Sequence, residues 1–303
     1  MLIKKITAIA ASAALVFGTL CFSANAASPE EDFIIIDNCI TGYVGNGGDI
    51  VIPDGITQIG LHTFWGNKNI TSVVIPKSCT RICTSAFAHC SALRSVTFEG
   101  DIRSMGSNTF LCCTALESVT FNGSFIEELY DSAFWGCENL KTVEFAPDSR
   151  VNVIDKAAFM YCASLSEVKL PNKVGKICTL AFINCPELTR LEIPSMTELE
   201  EFAVGYMRTN TYEFVKADGK ATVQLHMTFS DDEDILEEVC QKPITLVVAP
   251  DSPAEKYAVE NGIAYEYKAA EENPQTGGND LLPICFLAVF SLLLIFFANK
   301  KIA

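Results

Sequence analysis

The chain has 303 residues, 49% of them apolar, with 22 Lys and Arg against 37 Asp and Glu and a formal net charge of −15. An acidic excess of this size excludes nucleic acid and anionic lipid as natural partners, because both demand basic surface. There are three histidines, His62, His89 and His226, and no His-Glu-x-x-His, Gly-x-Ser-x-Gly or phosphate-loop motif, so neither a catalytic centre nor a cofactor site is expected.

Residues 1–26 read as a secretory signal peptide. Lys4 and Lys5 precede an apolar run from Ile6 to Phe22, and the small-residue exit Ala24-Asn25-Ala26 places cleavage after Ala26. Leu20 stands where a lipoprotein site wants a small residue, so Cys21 is not expected to carry lipid. Residues 27–56 follow as an N-terminal cap. Runs such as Phe33-Ile34-Ile35-Ile36 mark strands, and Gly42, Gly45, Gly47 and Gly48 mark turns in a hairpin-like lead-in.

Residues 57–206 are a repeat array. Phe64, Phe87, Phe110, Phe134, Phe159 and Phe182 recur at spacings of 23, 23, 24, 25 and 23 residues. Six residues after each phenylalanine stands Ile70, Leu93, Leu116, Leu140, Leu165 or Leu188; nine after stands Val73, Val96, Val119, Val143, Val168 or Leu191. Five before stands Ile59, Ile82, Met105, Leu129, Ile154 or Ile177. The pattern Leu-x-x-Val-x-(Ile/Phe) is a leucine-rich repeat strand, and one unit is too small to bury its apolar side alone. Stacked copies give a single continuous core, so the fold class is a β-rich solenoid, a horseshoe-like stack closed by a cap at each end.

The lead-in Tyr43-Val44-Gly45-Asn46-Gly47-Gly48-Asp49-Ile50-Val51-Ile52-Pro53 precedes copies of Ile-x-x-x-x-Phe-x-x-Cys-x-x-Leu-x-x-Val-x-(Ile/Phe). This order resembles the BspA-like, Treponema-type leucine-rich repeats of bacterial surface proteins. The resemblance implies a stacked solenoid, an extracellular location and, in some members, binding to host proteins or other cells. It carries over no binding residue, since the shared motif is structural.

After Ile193 the copies decay. Phe202 comes only 20 residues after Phe182, and no apolar residue stands five before it, where Thr197 is found. Residues 207–267 are read as an irregular final repeat and a C-terminal cap. The acidic run Asp231-Asp232-Glu233-Asp234 lacks the glycine and spacing of a calcium loop and is read as a solvated loop. Ile244–Val248 reads as a strand, and Ser252-Pro253-Ala254-Glu255 as a capping box that opens a helix ending at Asn261-Gly262.

A linker at 268–280 contains Asn273-Pro274-Gln275-Thr276-Gly277, and residues 281–303 supply an uncharged 18-residue run from Leu281 to Ala298 and the basic tail of Lys300 and Lys301. This order resembles the cell-wall sorting signal of Gram-positive surface proteins, and Asn-Pro-Gln-Thr is closer to the pattern of class B sortases than to Leu-Pro-x-Thr-Gly. It implies a membrane span before sorting, cleavage between Thr276 and Gly277, and attachment of Thr276 to peptidoglycan. Without Lys4, Lys5, Lys300, Lys301 and Asp280 the chain keeps 18 basic and 36 acidic residues, a net charge of −18.

Of thirteen cysteines, Cys90, Cys113, Cys137, Cys162 and Cys185 each lie three residues after a repeat phenylalanine, with Asn67 in that column of the first copy. Stacked side chains point the same way about 4.8 Å apart, whereas a disulfide wants Cβ atoms about 3.8 Å apart and turned together. The column is therefore expected to be reduced, buried filler, and no metal site is expected at Cys79, Cys83, Cys112 and Cys113. Strand alternation leaves Ser72, Ser95, Ser118, Thr142, Glu167 and Arg190 in one outward column and Val74, Thr97, Thr120, Glu144, Lys169 and Glu192 in the next. The charged half, Glu144, Glu167, Lys169, Arg190 and Glu192, is the candidate face for a host or bacterial surface protein. Trp65 and Trp135, both expected to be partly exposed, are the competing candidate for a glycan. A further candidate is the pair of lengthened turns at 125–128 and 147–150. His62 and His89 are expected on exposed turns.

Overall fold

The computed structural model describes residues 28–126, 128–208, 239–241 and 243–269. The signal peptide, His226, the run Asp231–Asp234, the sorting motif and the apolar run from Leu281 to Ala298 lie outside them. Among the described residues no helix is long and apolar enough to cross a membrane.

The chain winds as a β-solenoid of parallel rungs. A hairpin opens it, β1 (Phe33–Ile36) and β2 (Cys39–Tyr43), turned by Asp37 and Asn38 at φ 50° and 60°. Two left-handed residues in a row are what a tight hairpin turn needs, and Asp and Asn tolerate that region best after glycine. Then come β3 (Gly48–Val51), β4 (Gln58–Ile59), β5 (Ile70–Ile75), β6 (Arg81–Ile82), β7 (Ser95–Phe98) and β8 (Ser104–Met105). The middle of the stack holds β9 (Ser118–Phe121), β10 (Glu128–Leu129), β11 (Thr142–Phe145), β12 (Val153–Ile154), β13 (Glu167–Val168) and β14 (Lys176–Ile177). It finishes with β15 (Arg190–Glu192), β16 (Glu198–Leu199), β17 (Tyr206–Arg208), β18 (Val239–Gln241), β19 (Thr245–Val248), helix α1 (Pro253–Glu260) and β20 (Ala264–Tyr267).

Odd-numbered strands from β3 to β13 form one six-stranded parallel sheet, in which Val73, Val96, Val119, Val143 and Val168 stand side by side. The two-residue strands, with the β1-β2 hairpin at one end, form a second wall, split into β1-β2-β4-β6-β8 and β10-β12-β14-β16, and carry the buried column that begins at Ile59. Between the walls the repeat phenylalanines stack face to face. Ring centroids are 4.7 Å apart from Phe64 to Phe87, 5.3 Å to Phe110, 5.4 Å to Phe134, 5.4 Å to Phe159 and 5.1 Å to Phe182, with interplanar angles of 3–14°. Tyr43 and Phe33 continue the column at the hairpin end, each 5.4 Å from its neighbour.

Each phenylalanine sits in a tight turn with a left-handed residue two before it and another two after. The first set is His62, Ser85, Asn108, Ser132, Ala157 and Leu180; the second is Gly66, His89, Cys112, Gly136, Tyr161 and Asn184. Ten of these twelve are not glycine, so packing of the column outweighs a backbone cost of about 1 kcal/mol or more at each. The cysteine column stabilises the same turn. Cys90 Sγ donates to the Phe64 carbonyl at 3.0 Å, Cys113 to Phe87 at 3.0 Å, Cys137 to Phe110 at 3.2 Å, Cys162 to Phe134 at 3.2 Å and Cys185 to Phe159 at 3.1 Å. Every one of these carbonyls also accepts a backbone N–H three residues on, as Phe110 does from Cys113. All five cysteines are buried and none is in a disulfide, as the spacing requires.

The seventh turn is completed at a spacing unlike the others. Phe182 N–H donates to Ala203 O, the bond that Phe159 makes to Ala181, so the residue after Ala203 fills the phenylalanine column. That residue is Val204, 22 on from Phe182; Phe202 instead takes the left-handed position, at φ 54°, and Leu199 in β16 pairs beside Ile177. The strand of this turn is β19, which sets Leu246 beside Leu191, with residues 209–238 lying between. Helix α1 starts at Ser252, whose Oγ accepts from Glu255 N–H at 3.2 Å, while Glu255 accepts from Asp251 N–H at 2.6 Å. Tyr257 Oη donates to Val204 O at 2.9 Å and fixes the helix on the last turn.

Truncating a ring in mid-stack removes two stacked faces at once. Phe110→Ala is expected to cost about 3–5 kcal/mol in urea unfolding, and Cys137→Ala about 1 kcal/mol, through loss of one of the two donors to the Phe110 carbonyl. Burial pushes the thiols of Cys79, Cys112 and Cys178 from 9.0 up to about 12 and raises those of Cys113, Cys137 and Cys162 as well. The unfolded chain therefore loses these protons first. Stability is complete below pH 9 and falls as the pH climbs through and above it, which thermal melts from pH 8 to 11 will read.

Candidate interaction face

The outward side of the six-stranded sheet is set by the same register that builds the core. Ser72, Ser95, Ser118, Thr142 and Glu167 face one another across β5, β7, β9, β11 and β13, and Val74, Thr97, Thr120 and Glu144 make the parallel column. The hydroxyl half is half-buried and uncharged, while Glu144, Glu167, Lys169, Arg190 and Glu192 are all exposed. Beside the serines runs an alternating ladder of Arg94, Glu117 and Lys141. Lys141 Nζ lies 2.9 Å from Glu117, and the hydrogen bond and charge of Lys141 hold the Glu117 carboxyl below its usual range.

The charged residues do not form one open patch. Glu167 pairs at 3.4 Å with Lys169, the residue just past the end of β13. Arg190 donates through Nε and Nη2 to Glu266 at 3.1 and 2.8 Å, and Lys268 pairs with Glu192 at 2.7 Å. Because β19 lies between β15 and β20, both of these pairs must cross its outward face, and Val247 beneath them is only 3% exposed. Glu144 takes part in no ion pair among the described residues. Glu266 and Lys268 were missed from sequence because β20 was not foreseen, although Ala264-Tyr265-Glu266-Tyr267 alternates as a strand should.

The tryptophans part company. Trp65 is 48% exposed and is held edge-on by His62 at 4.8 Å and tilted against His89 at 4.9 Å. Trp135 is buried at 9%, in a column with Ala88, Leu111, Met160 and Ile183, all shielded from solvent. A glycan platform made of both rings is therefore ruled out. His62 is exposed as expected, but His89 is half-buried, and that burial lowers its pKa. In the lengthened turns Ile126 and Ser149 turn inward; Asp148 and Ser124 instead join Lys77, Glu99, Asp101 and Arg103 along a shallow polar groove of about 480 Å³. Among the described residues no group of three or more His, Cys, Asp or Glu has the geometry to hold a metal ion.

The family described as BspA type leucine rich repeat region matches residues 35–149 and 128–216, with six copies. The chain belongs to the BspA-type leucine-rich repeat family. Its solenoid resembles a leucine-rich repeat protein from Eubacterium ventriosum at 24% identity and a TM-score of 0.51, over 58% of this chain and 50% of that one. A leucine-rich repeat protein from Bacteroides ovatus matches at 19% identity and a TM-score of 0.50, over 72% and 47%. The BspA-type chain thus spans about half the length of these solved proteins, and at these identities the likeness establishes the fold. No curated protein matches it. Leucine-rich repeat solenoids typically act by presenting a surface and not by catalysis.

Arg190 and Glu266 are both more than half exposed, so their pair is worth at most about 1 kcal/mol. In a double-mutant cycle, Arg190→Glu and Glu266→Arg are each expected to lower stability slightly. The swapped pair should recover most of the loss, and thermal unfolding measures the coupling.

Proposed function

We propose that this chain is a non-catalytic surface protein, exported and joined to peptidoglycan by a class B-like sortase, that engages a protein on host or neighbouring bacterial cells. The observation that carries the binding role is the outward face of β5 to β13, a set of side chains from consecutive parallel strands held in one register and open to solvent. Such a face offers area and pattern, the requirements of protein recognition. It begins with hydroxyls and ends at Glu144 and Lys169, so charge selects the partner at one end only. Anchoring is supported by the order of Asn273-Pro274-Gln275-Thr276-Gly277, the apolar run and the basic tail. The segment between Lys268 and Thr276 is a short tether, so the repeats stand close to the wall after sorting.

Protease shaving of intact cells, with mass spectrometry of released peptides and of purified wall, tests placement. Repeat peptides in the shaved fraction and Thr276 linked to wall material are expected; a surviving span after Gly277 defeats the sorting. The face is tested by Glu144→Lys with Lys169→Glu, which leaves the Arg190 and Glu192 pairs intact. Binding of the purified chain to cells or to an identified ligand is expected to fall about tenfold with unchanged melting, and unaltered binding removes this face as the site.

A further inference from the structure

Residues 28–67 contain six carboxylates, Glu30, Glu31, Asp32, Asp37, Asp49 and Asp54, and no lysine or arginine. The same stretch supplies five of the eight large apolar side chains left exposed on the described surface: Ile34, Ile36, Val44, Leu61 and Trp65. Apolar exposure and negative charge are thus concentrated at one end of the solenoid. At that end β1 pairs with β2 on one side and has no strand neighbour on the other among the described residues. Alternation turns Phe33 into the core and Ile34 and Ile36 outward, 48% and 58% exposed. The edge therefore offers main-chain groups beside apolar side chains, bracketed by Glu30-Glu31-Asp32 before the strand and Asp37 after it. Natural edges are commonly blunted by lysine or proline within the strand; this one has neither.

A second copy of the chain does not fit the edge. Two β1 strands paired in register about a two-fold set Asp32 opposite Asp37 twice, and like charges directly opposite are destabilising. Head-to-tail stacking brings the acidic end against β20 and α1, where the bases Lys256, Arg190 and Lys268 are already paired with Glu260, Glu266 and Glu192, so the stacked end offers no surplus of positive charge. We propose that the free edge of β1 receives an extended segment of another protein, apolar at alternate positions and flanked by lysine or arginine, which joins the sheet as an added strand. Main-chain hydrogen bonds give such a strand its affinity, Ile34 and Ile36 select apolar side chains, and the flanking carboxylates select basic ends. This edge is separate from the strand face, so Glu144→Lys with Lys169→Glu is expected to leave it unaltered.

The test uses the full chain and a fluorescent peptide of alternating valine and threonine with two lysines at each end, read by anisotropy. Saturable binding is expected, weakened by salt and at least about tenfold weaker when glutamates replace the lysines. Ile34→Lys with Ile36→Lys, both on the surface, should reduce binding by a similar factor with unchanged melting. Glu31→Gln with Asp37→Asn should reduce it and flatten its salt dependence. N-methylation of alternate peptide residues should abolish it. Absence of saturable binding, or binding indifferent to the isoleucine changes or to N-methylation, overturns the proposal. A dimer in sedimentation that Ile34→Lys dissolves also overturns it and assigns the edge to a second copy.

Discussion

The pitch of the phenylalanine column is the constraint on which the rest of the molecule depends. Parallel strands must lie about 4.8 Å apart to share hydrogen bonds, and the stacked rings from Phe64 to Phe182 lie 4.7–5.4 Å apart. One spacing thus satisfies the backbone of both walls and the rings between them. A one-residue slip in any rung would turn its buried valine outward and pull its ring out of the column, so register is enforced at two places in every turn. The insertions that lengthen the third and fourth spacings are absorbed in turns, where neither requirement applies.

Meeting that pitch forces the backbone into an unfavourable path. The chain bends twice around each phenylalanine, through residues that are mostly not glycine, and the cysteine three residues on secures the bend by donating its backbone N–H to its own ring residue's carbonyl and its thiol to the phenylalanine carbonyl of the rung before. This explains why a chain read as exported keeps a row of thiols unpaired. A small, weakly polar donor is what the turn accommodates, and the parallel direction of the column keeps neighbouring sulfurs from facing each other. In the first copy Asn67 Oδ1 accepts from the backbone N–H groups of Asn69 and Ile70, so the position tolerates a different polar solution.

The two ends of the stack differ in character, and that asymmetry shapes what the protein can meet. Toward the C-terminal end, ion pairs cross β19 and neutralise much of the charge that the repeats present. Toward the N-terminal end, carboxylates surround exposed isoleucine, valine, leucine and tryptophan with no lysine or arginine among them until Lys68. Between these ends lies a flat hydroxyl-rich face. A solenoid adds surface without adding depth, so recognition falls to columns and edges and not to a cleft.

The repeat period, the columns of Ile, Leu, Val and Phe, the reduced cysteines and the outward strand residues were all legible in the sequence. Each is a consequence of local spacing copied many times, and stacking identical units leaves no choice about which side chains meet. The fate of the single-copy residues was not legible. Val204, and not the nearby Phe202, enters the column because the hydrogen-bond ladder, and not side-chain identity, decides which residue does so. Trp135 was drawn inward by neighbouring columns, whereas Trp65, with only Val44 in the rung before it, stayed at the surface. Arg190 and Glu192 found Glu266 and Lys268, more than seventy residues away, because β20 pairs with β19. Sequence by itself therefore determined the solenoid and its two faces, through periodicity. Only tertiary structure decided which charges and rings remain free, since that depends on contacts between segments that share no period.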